Sequence, residues 1–178
     1  MPSVITHPAV ALGLAPYFRK SGVGPRVWAL GALCTAIPDL DSIGLRFGIP
    51  YDHPLGHRGL THSIAFALIL AGVLAAVWQH SASLPAFPWA LFVYLFLCCV
   101  SHGVLDAFTN GGLGVAFFAP FSNERFFFPW RPITVAPLGI ARFFNGRAVP
   151  VLTSEFQWVV VPSALIGLVG LGVARARA

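Results

Sequence analysis

The sequence predicts an all-α integral membrane protein, a single domain over 1–178 with about five transmembrane or membrane-embedded helices. Three observations predict it. Of the 178 residues, 57% are hydrophobic and only 10% charged, whereas soluble domains carry about 25% charged residues. Mean hydropathy is +0.78, so the polar surface needed to coat a soluble globule is missing and bilayer is the natural solvent. Long uncharged runs recur along the chain. Leu60 to Gln79 holds no Asp, Glu, Lys or Arg, and Pro88 to Val100 is apolar throughout.

The spans follow in order. The predicted spans are about 60–79, 88–108 and 154–173, each near the roughly 20 residues that cross a hydrocarbon core. Pro162 in the last is a kink that membrane helices tolerate. Before them, Val4–Phe18 and Gly24–Ile37 are shorter apolar segments separated by Arg19, Lys20, Ser21, Gly22 and Gly24. A helix of about 14 residues rises about 21 Å, so 4–37 reads as a short helical hairpin. The first residues lack a basic stretch ahead of the apolar one and contain Pro8 and Pro16, which argues against a cleaved signal peptide.

Counting spans gives a topology. If the turn at Arg19–Arg26 lies on face A, the second helix delivers Asp39 to face B. The next span returns to A, 88–108 goes back to B, and the last ends on A. Trp28, Trp78 and Trp89 then fall near face A as an aromatic belt. Basic residues divide five to six. Arg19, Lys20, Arg26, Arg175 and Arg177 lie on A, and Arg46, Arg58, Arg125, Arg131, Arg142 and Arg147 on B. The positive-inside rule therefore favours neither face as cytoplasmic. Flanking cations of this kind suit contact with membrane lipids. No basic stretch interleaved with aromatics suggests a nucleic-acid groove, so no nucleic-acid partner is expected. Nothing in the pattern specifies an oligomeric state.

The same count gathers ionisable residues on face B: His7, Asp39, Asp41, His57, His62, His102 and Asp106. Such groups in apolar helices are costly and usually functional. His102 and Asp106, four apart, share one helix face. Asp39 and Asp41 would point about 200° apart on a helix but the same way in an extended segment; a capping role for Asp39 is the alternative. His57 and His62 would diverge by about 140° on one helix. A break at Gly59 leaves His57 on a loop and His62 in the first turn of the span, where Thr61 or Ser63 can serve backbone groups. His7 rests on its placement alone. His53, in a loop, and His80, on the other face, are given no role. Cys34, Cys98 and Cys99 read as small buried hydrophobes.

Imidazole and carboxylate without thiolate suit a divalent metal, one or two ions, with zinc, manganese or non-haem iron the candidates. Such an ion activates water near neutral pH. Arg58, Arg125 and Arg131 are placed to meet an anionic substrate, since arginine suits phosphate, and Asp41 is the candidate general base. The connection over 109–152, with Phe-Phe-Phe-Pro-Trp-Arg-Pro at Phe126–Pro132, reads as an interfacial segment covering the site.

Four elements in order carry a family resemblance: Thr6-His7; Pro38-Asp39-Leu40-Asp41; His57-Arg58-Gly59-Leu60-Thr61-His62-Ser63; and His102 through Asp106 followed by Thr109-Asn110-Gly111. The chain resembles the YdjM-like family of bacterial inner-membrane metal-dependent hydrolases over roughly its first two thirds. The resemblance implies a membrane-embedded hydrolase whose site is built from His7, Asp39, His57, His62, His102 and Asp106. A phosphoester is the expected substrate, with a lipid or lipid-linked molecule suited to a site at the bilayer surface. A metal-ion or proton transporter using the same cluster is the alternative, and a structural metal in a scaffold is a third.

Overall fold

The computed structural model describes residues 3, 5–21 and 24–176. Val4, Gly22 and Arg177, placed by the sequence at the start of the hairpin, in its turn and at the chain end, lie outside the described residues. The described chain is helical, with two isolated bridges and no named strand. Helix α1 (Pro8–Leu14) runs into a 3-10 stretch, Ala15–Ser21, and α2 (Pro25–Cys34) returns. Proline opens both, where its missing N–H costs nothing and its fixed φ suits a first turn. A 3-10 helix over Ile37–Phe47 and a single 3-10 turn, Leu60–His62, precede α3 (Ile64–Ser81). Ser63 caps α3 by accepting from the Phe66 N–H at 3.1 Å. Then come α4 (Trp89–Ala107), the short α5 (Ile140–Phe144), and α6 (Ala148–Glu155). The last continues through one π turn, Phe156–Val160, into α7 (Val161–Ala176).

Three helices are long and apolar enough to cross a membrane: Ile64–Ser81, Trp89–Ala107 and Ala148–Ala176. The last starts at Ala148, earlier than the expected 154, and α5 also falls inside what the sequence reads as loop. Polar Thr153, Ser154 and Glu155 hide that start from an apolar scan; the structure turns Glu155 inward, fully buried.

Burial identifies α4 as the central element. Half of its most apolar stretch is buried, against 17% for α3 and for the last span. Those two instead present apolar side chains such as Ile69 and Leu168 outward, the arrangement lipid requires. Association without a hydrophobic drive relies on close backbone approach at small residues. Ala67, Ala71 and Ala75 form the buried stripe of α3. At the α1–α7 crossing, a Cβ on Gly13 would lie 2.4 Å from the Ser163 carbonyl oxygen, so only glycine fits. The core packs Ala11, Cys34, Leu91, Tyr94, Leu95 and Cys98 together, and the Tyr94 hydroxyl donates to the Ala11 carbonyl at 3.0 Å.

The segment after α4 folds back over the helix ends. Bridges pair Thr109 with Ile133 and Val115 with Phe126. The Ala116 N–H donates to the Arg58 carbonyl, and the Ile64 N–H to the Phe117 carbonyl, each at 3.0 Å. Its aromatics dock locally: Phe128 stacks on Phe108 with ring centres 4.2 Å apart, and Trp130 meets Trp158 edge-on at 4.8 Å.

Candidate metal centre

The start of α3, the end of α4, the entry to α1 and the 3-10 helix meet under this cover. Four residues with ligand atoms within 4.8 Å of one another lie there, all buried: Asp39, His62, His102 and Asp106. His62 Nε2 is 3.1 Å from His102 Nε2 and 3.3 Å from Asp106 Oδ2. Asp39 Oδ1 is 3.2 Å from His102 Nε2 and 3.7 Å from His62 Nε2. His102 Nε2 and Asp106 Oδ2 are 3.9 Å apart. A tetrahedral ion bound at 2.0–2.1 Å needs ligand atoms about 3.3–3.5 Å apart, and these spacings bracket that value.

Tautomers strengthen the fit. The Nδ1 of His102 lies 2.7 Å from the Thr35 carbonyl and that of His7 3.0 Å from the Ser3 carbonyl. A carbonyl only accepts, so each Nδ1 carries the proton and each Nε2 keeps a lone pair. His7 Nε2 is buried with no hydrogen-bond partner, and its ring centre is 4.2 Å from that of His102. Neither Asp39 oxygen has a well-aligned hydrogen bond, despite the close nitrogen. Lone pairs converging in a buried space are what a cation satisfies.

Electrostatics agree. Burial, then repulsion from His102, pushes His7 down to about 3, which keeps it neutral. Burial opposes charge on His62, but the carboxylates of Asp106, Asp39 and Asp41 around its ring outweigh it and raise His62 to about 10. Without a metal, a proton on His62 therefore does what a cation would do. Burial also opposes ionised Asp39, yet His102 holds its carboxyl well below the usual range.

Asp41 forms a second grouping with His57 and His62, but of a different kind. It accepts from Thr61 Oγ1 at 2.5 Å, His57 Nδ1 at 2.6 Å and the Arg58 N–H at 3.2 Å, and lies 3.1 Å from His62 Nδ1. Its oxygens are already occupied. A carboxylate on the far nitrogen of a ligating histidine fixes that ring's orientation and basicity. The sequence alternative of an extended 38–41 does not hold. The 3-10 turn sends Asp39 towards His102 and Asp41 towards His57, and both reach His62.

The three arginines expected to meet an anion are engaged by the protein itself. Arg58 is fully buried, with Nε 3.0 Å from Asp106 Oδ2 and donors on Thr109 Oγ1 and the Gly111 carbonyl, each at 2.9 Å. Gly112, at φ +93°, makes room: a Cβ there would lie 2.7 Å from that guanidinium. Arg125 donates to the carbonyls of His57, Tyr51 and His53, bracing their loop. Arg131 lies over the Phe127 ring at 4.7 Å. His53 and His80 are exposed, and the His53 ring accepts from the Leu55 N–H.

Sequence reasoning missed Glu155 and Thr35. Thr35 acts through its carbonyl, which no side-chain pattern reveals. Glu155 carried a signal, as the sole carboxylate of an otherwise apolar span. It accepts from the Ser3 N–H, from Ser3 Oγ at 2.6 Å and from Thr6 Oγ1 at 3.0 Å, holding Ser3, whose carbonyl orients His7. Glu155→Gln turns an amide N–H₂ towards donors. It is expected to cost about 1–3 kcal/mol of stability and, by loosening the Ser3 carbonyl that orients His7, to weaken metal binding by less than the roughly 10–100-fold that losing a direct partner of a ligand costs. Thermal melting and competition with a chelator measure both, and unchanged affinity would remove Glu155 from the support of the centre.

Fold and site together define a class: a multi-pass membrane protein with a buried His/Asp centre, at one end of its helices, able to hold a metal ion. The chain belongs to the YdjM family, matching the family described as YdjM inner membrane protein over residues 1–178. It is 36% identical over 166 residues to inner membrane protein YbcI of Escherichia coli (strain K12), covering 93% of this chain and 95% of that protein. No solved structure matches. The protein is thus a bacterial inner-membrane protein.

Proposed function

We propose that the protein is a metal-dependent hydrolase of phosphoesters, with a lipid or lipid-linked substrate. The observation that carries this is the convergence of the buried imidazoles of His62 and His102 on the carboxylates of Asp39 and Asp106, beside the Asp41–His57 pair. Asp39, His62, His102 and Asp106 would hold one divalent ion, zinc or manganese, with His7 Nε2 directed at the same space. When bound, the ion supplies Lewis acidity towards a phosphoryl oxygen and lowers the pKa of water.

The protein's own groups supply the rest. Asp41 is a poor base: burial opposes its charge, but hydrogen bonds from His57 and His62 hold its carboxyl low. His57, hydrogen-bonded through Nδ1 to Asp41 at 2.6 Å, is the better proton acceptor, since a carboxylate behind an imidazole stabilises the imidazolium that forms. The general base is therefore assigned to His57, with Asp41 positioning both His57 and His62. What favours hydrolysis over transport is the core of α3 and α4 towards the opposite face. Its buried residues there are Ala67, Ala71, Ala75, Leu91, Tyr94, Leu95, Cys98 and Cys99, and the one hydroxyl among them, that of Tyr94, is spent on the Ala11 carbonyl.

The test is turnover of a panel of phospholipids and water-soluble phosphodiesters by the purified protein, with and without added zinc or manganese. His57→Ala is expected to lower kcat about 10²–10⁴-fold while metal content is retained. No metal-dependent turnover of any phosphoester would sink the hydrolase reading. Turnover of the soluble set alone would sink the lipid assignment, and metal flux into proteoliposomes would favour transport.

A further inference from the structure

A cleft of about 620 Å³ lies between the 3-10 helix Ile37–Phe47 and the start of α5. Ser42, Ile43, Leu45 and Arg46 line one side, and Leu138 and Arg142 the other. Its volume is that of a small-molecule site. Neither Arg46 nor Arg142 has an ion-pair or hydrogen-bond partner among the described residues, unlike Arg58 and Arg125. Two unneutralised guanidinium groups facing one cleft attract an anion with geminal oxygens, which arginine binds in a fork.

The cleft and the metal centre share the 3-10 helix Ile37–Phe47, which carries Asp39 as well as Ser42, Ile43, Leu45 and Arg46. In a 3-10 helix residues i and i+3 eclipse, with a rise of about 2 Å per residue. Asp39, Ser42 and Leu45 therefore fall in line, and Ser42 is about 6 Å along the axis from Asp39. The elements that form the cleft also carry Phe47, 81% exposed, and Phe144, 69% exposed. Large apolar side chains left exposed on one face of a membrane protein suit contact with lipid. Ile43, Leu45 and Leu138 give the cleft an apolar wall, which a free inorganic anion would not need.

We propose that this cleft binds a phosphate-bearing lipid headgroup, the phosphate on Arg46 and Arg142 and the first acyl carbons on Ile43, Leu45 and Leu138. It presents the lipid to the centre along the Asp39–Ser42–Leu45 line. The assignment rests on reading the metal centre as hydrolytic and names its substrate class. The anion-binding role then passes from Arg58, Arg125 and Arg131 to two residues for which sequence reasoning expected none.

The test reads binding without turnover. The detergent-purified full chain is titrated with dihexanoyl phosphatidic acid, dihexanoyl glycerol and inorganic phosphate, in the parent, in Arg46→Gln/Arg142→Gln and in the exposed single variant Arg142→Glu. Metal content is measured on every sample. The parent is expected to bind the phosphatidic acid about tenfold or more tightly than either control, and both variants to lose about tenfold or more of that affinity. Metal content should stay unchanged. Equal affinity for inorganic phosphate would overturn the lipid occupant. Unchanged binding in both variants would overturn the cleft. A metal-free protein that still binds the lipid through these arginines would fail the hydrolase reading alone.

Discussion

His62→Ala/His102→Ala is expected to purify without metal, whereas the parent carries about one equivalent of a transition metal. The two nitrogens lie 3.1 Å apart, and their removal leaves only carboxylates in the buried group. This pair is a cleaner test than one including Asp106, whose loss would also strand the Arg58 guanidinium. Elemental mass spectrometry of both proteins, after incubation with zinc and manganese, decides it. Equal metal in both would place the ion elsewhere. The pH dependence has a definite sign. His62 is raised to about 10 in the metal-free chain, so below that pH binding must expel its proton. Affinity should fall about tenfold per unit as pH drops from 8 to 6. The carboxylates are already ionised in this range and add no protons. Chelator competition at three pH values measures the slope, and a flat profile would exclude His62 as a ligand.

The placement of the centre was legible because the chain is so apolar. Once 60–79 and 88–108 are spans, the end at which His62, His102 and Asp106 emerge is fixed by counting, and hydrophobic runs alone decide it. The fates of the arginines were not legible. Arg125 is held by the carbonyls of Tyr51, His53 and His57, and backbone acceptors leave no trace in residue type. Arg58 looks like a substrate group on a polar loop until the segment after α4 is folded over it, and that segment is tied down by isolated bridges without strand periodicity. The Asp39–Leu40–Asp41 geometry was ambiguous for a related reason: its 3-10 form lies outside both the helical and the extended alternatives. Glu155 was hidden by length, since a span beginning at 154 leaves it at an end, whereas the helix from Ala148 makes it interior.

Arg58→Met is expected to destabilise the metal-free protein by about 3–5 kcal/mol, the usual cost of leaving one partner of a buried ion pair uncompensated. Arg58 and Asp106 are both fully buried, with Nε to Oδ2 at 3.0 Å and the terminal nitrogen to Oδ1 at 3.3 Å. The same guanidinium holds Thr109 and the Gly111 carbonyl, so its loss also frees the start of the covering segment. Arg58→Lys should rescue little, because an ammonium is a point charge and cannot span Asp106, Thr109 and Gly111 together. Bound metal would neutralise part of the stranded Asp106 charge. The deficit should therefore shrink when zinc or manganese is added, and the variant should gain more thermal stability from metal than the parent gains. Melting curves of parent, Arg58→Met and Arg58→Lys, each with and without metal, separate the possibilities. If Arg58 instead served only a passing substrate, all three would melt alike without metal, and the buried pair would carry no structural weight.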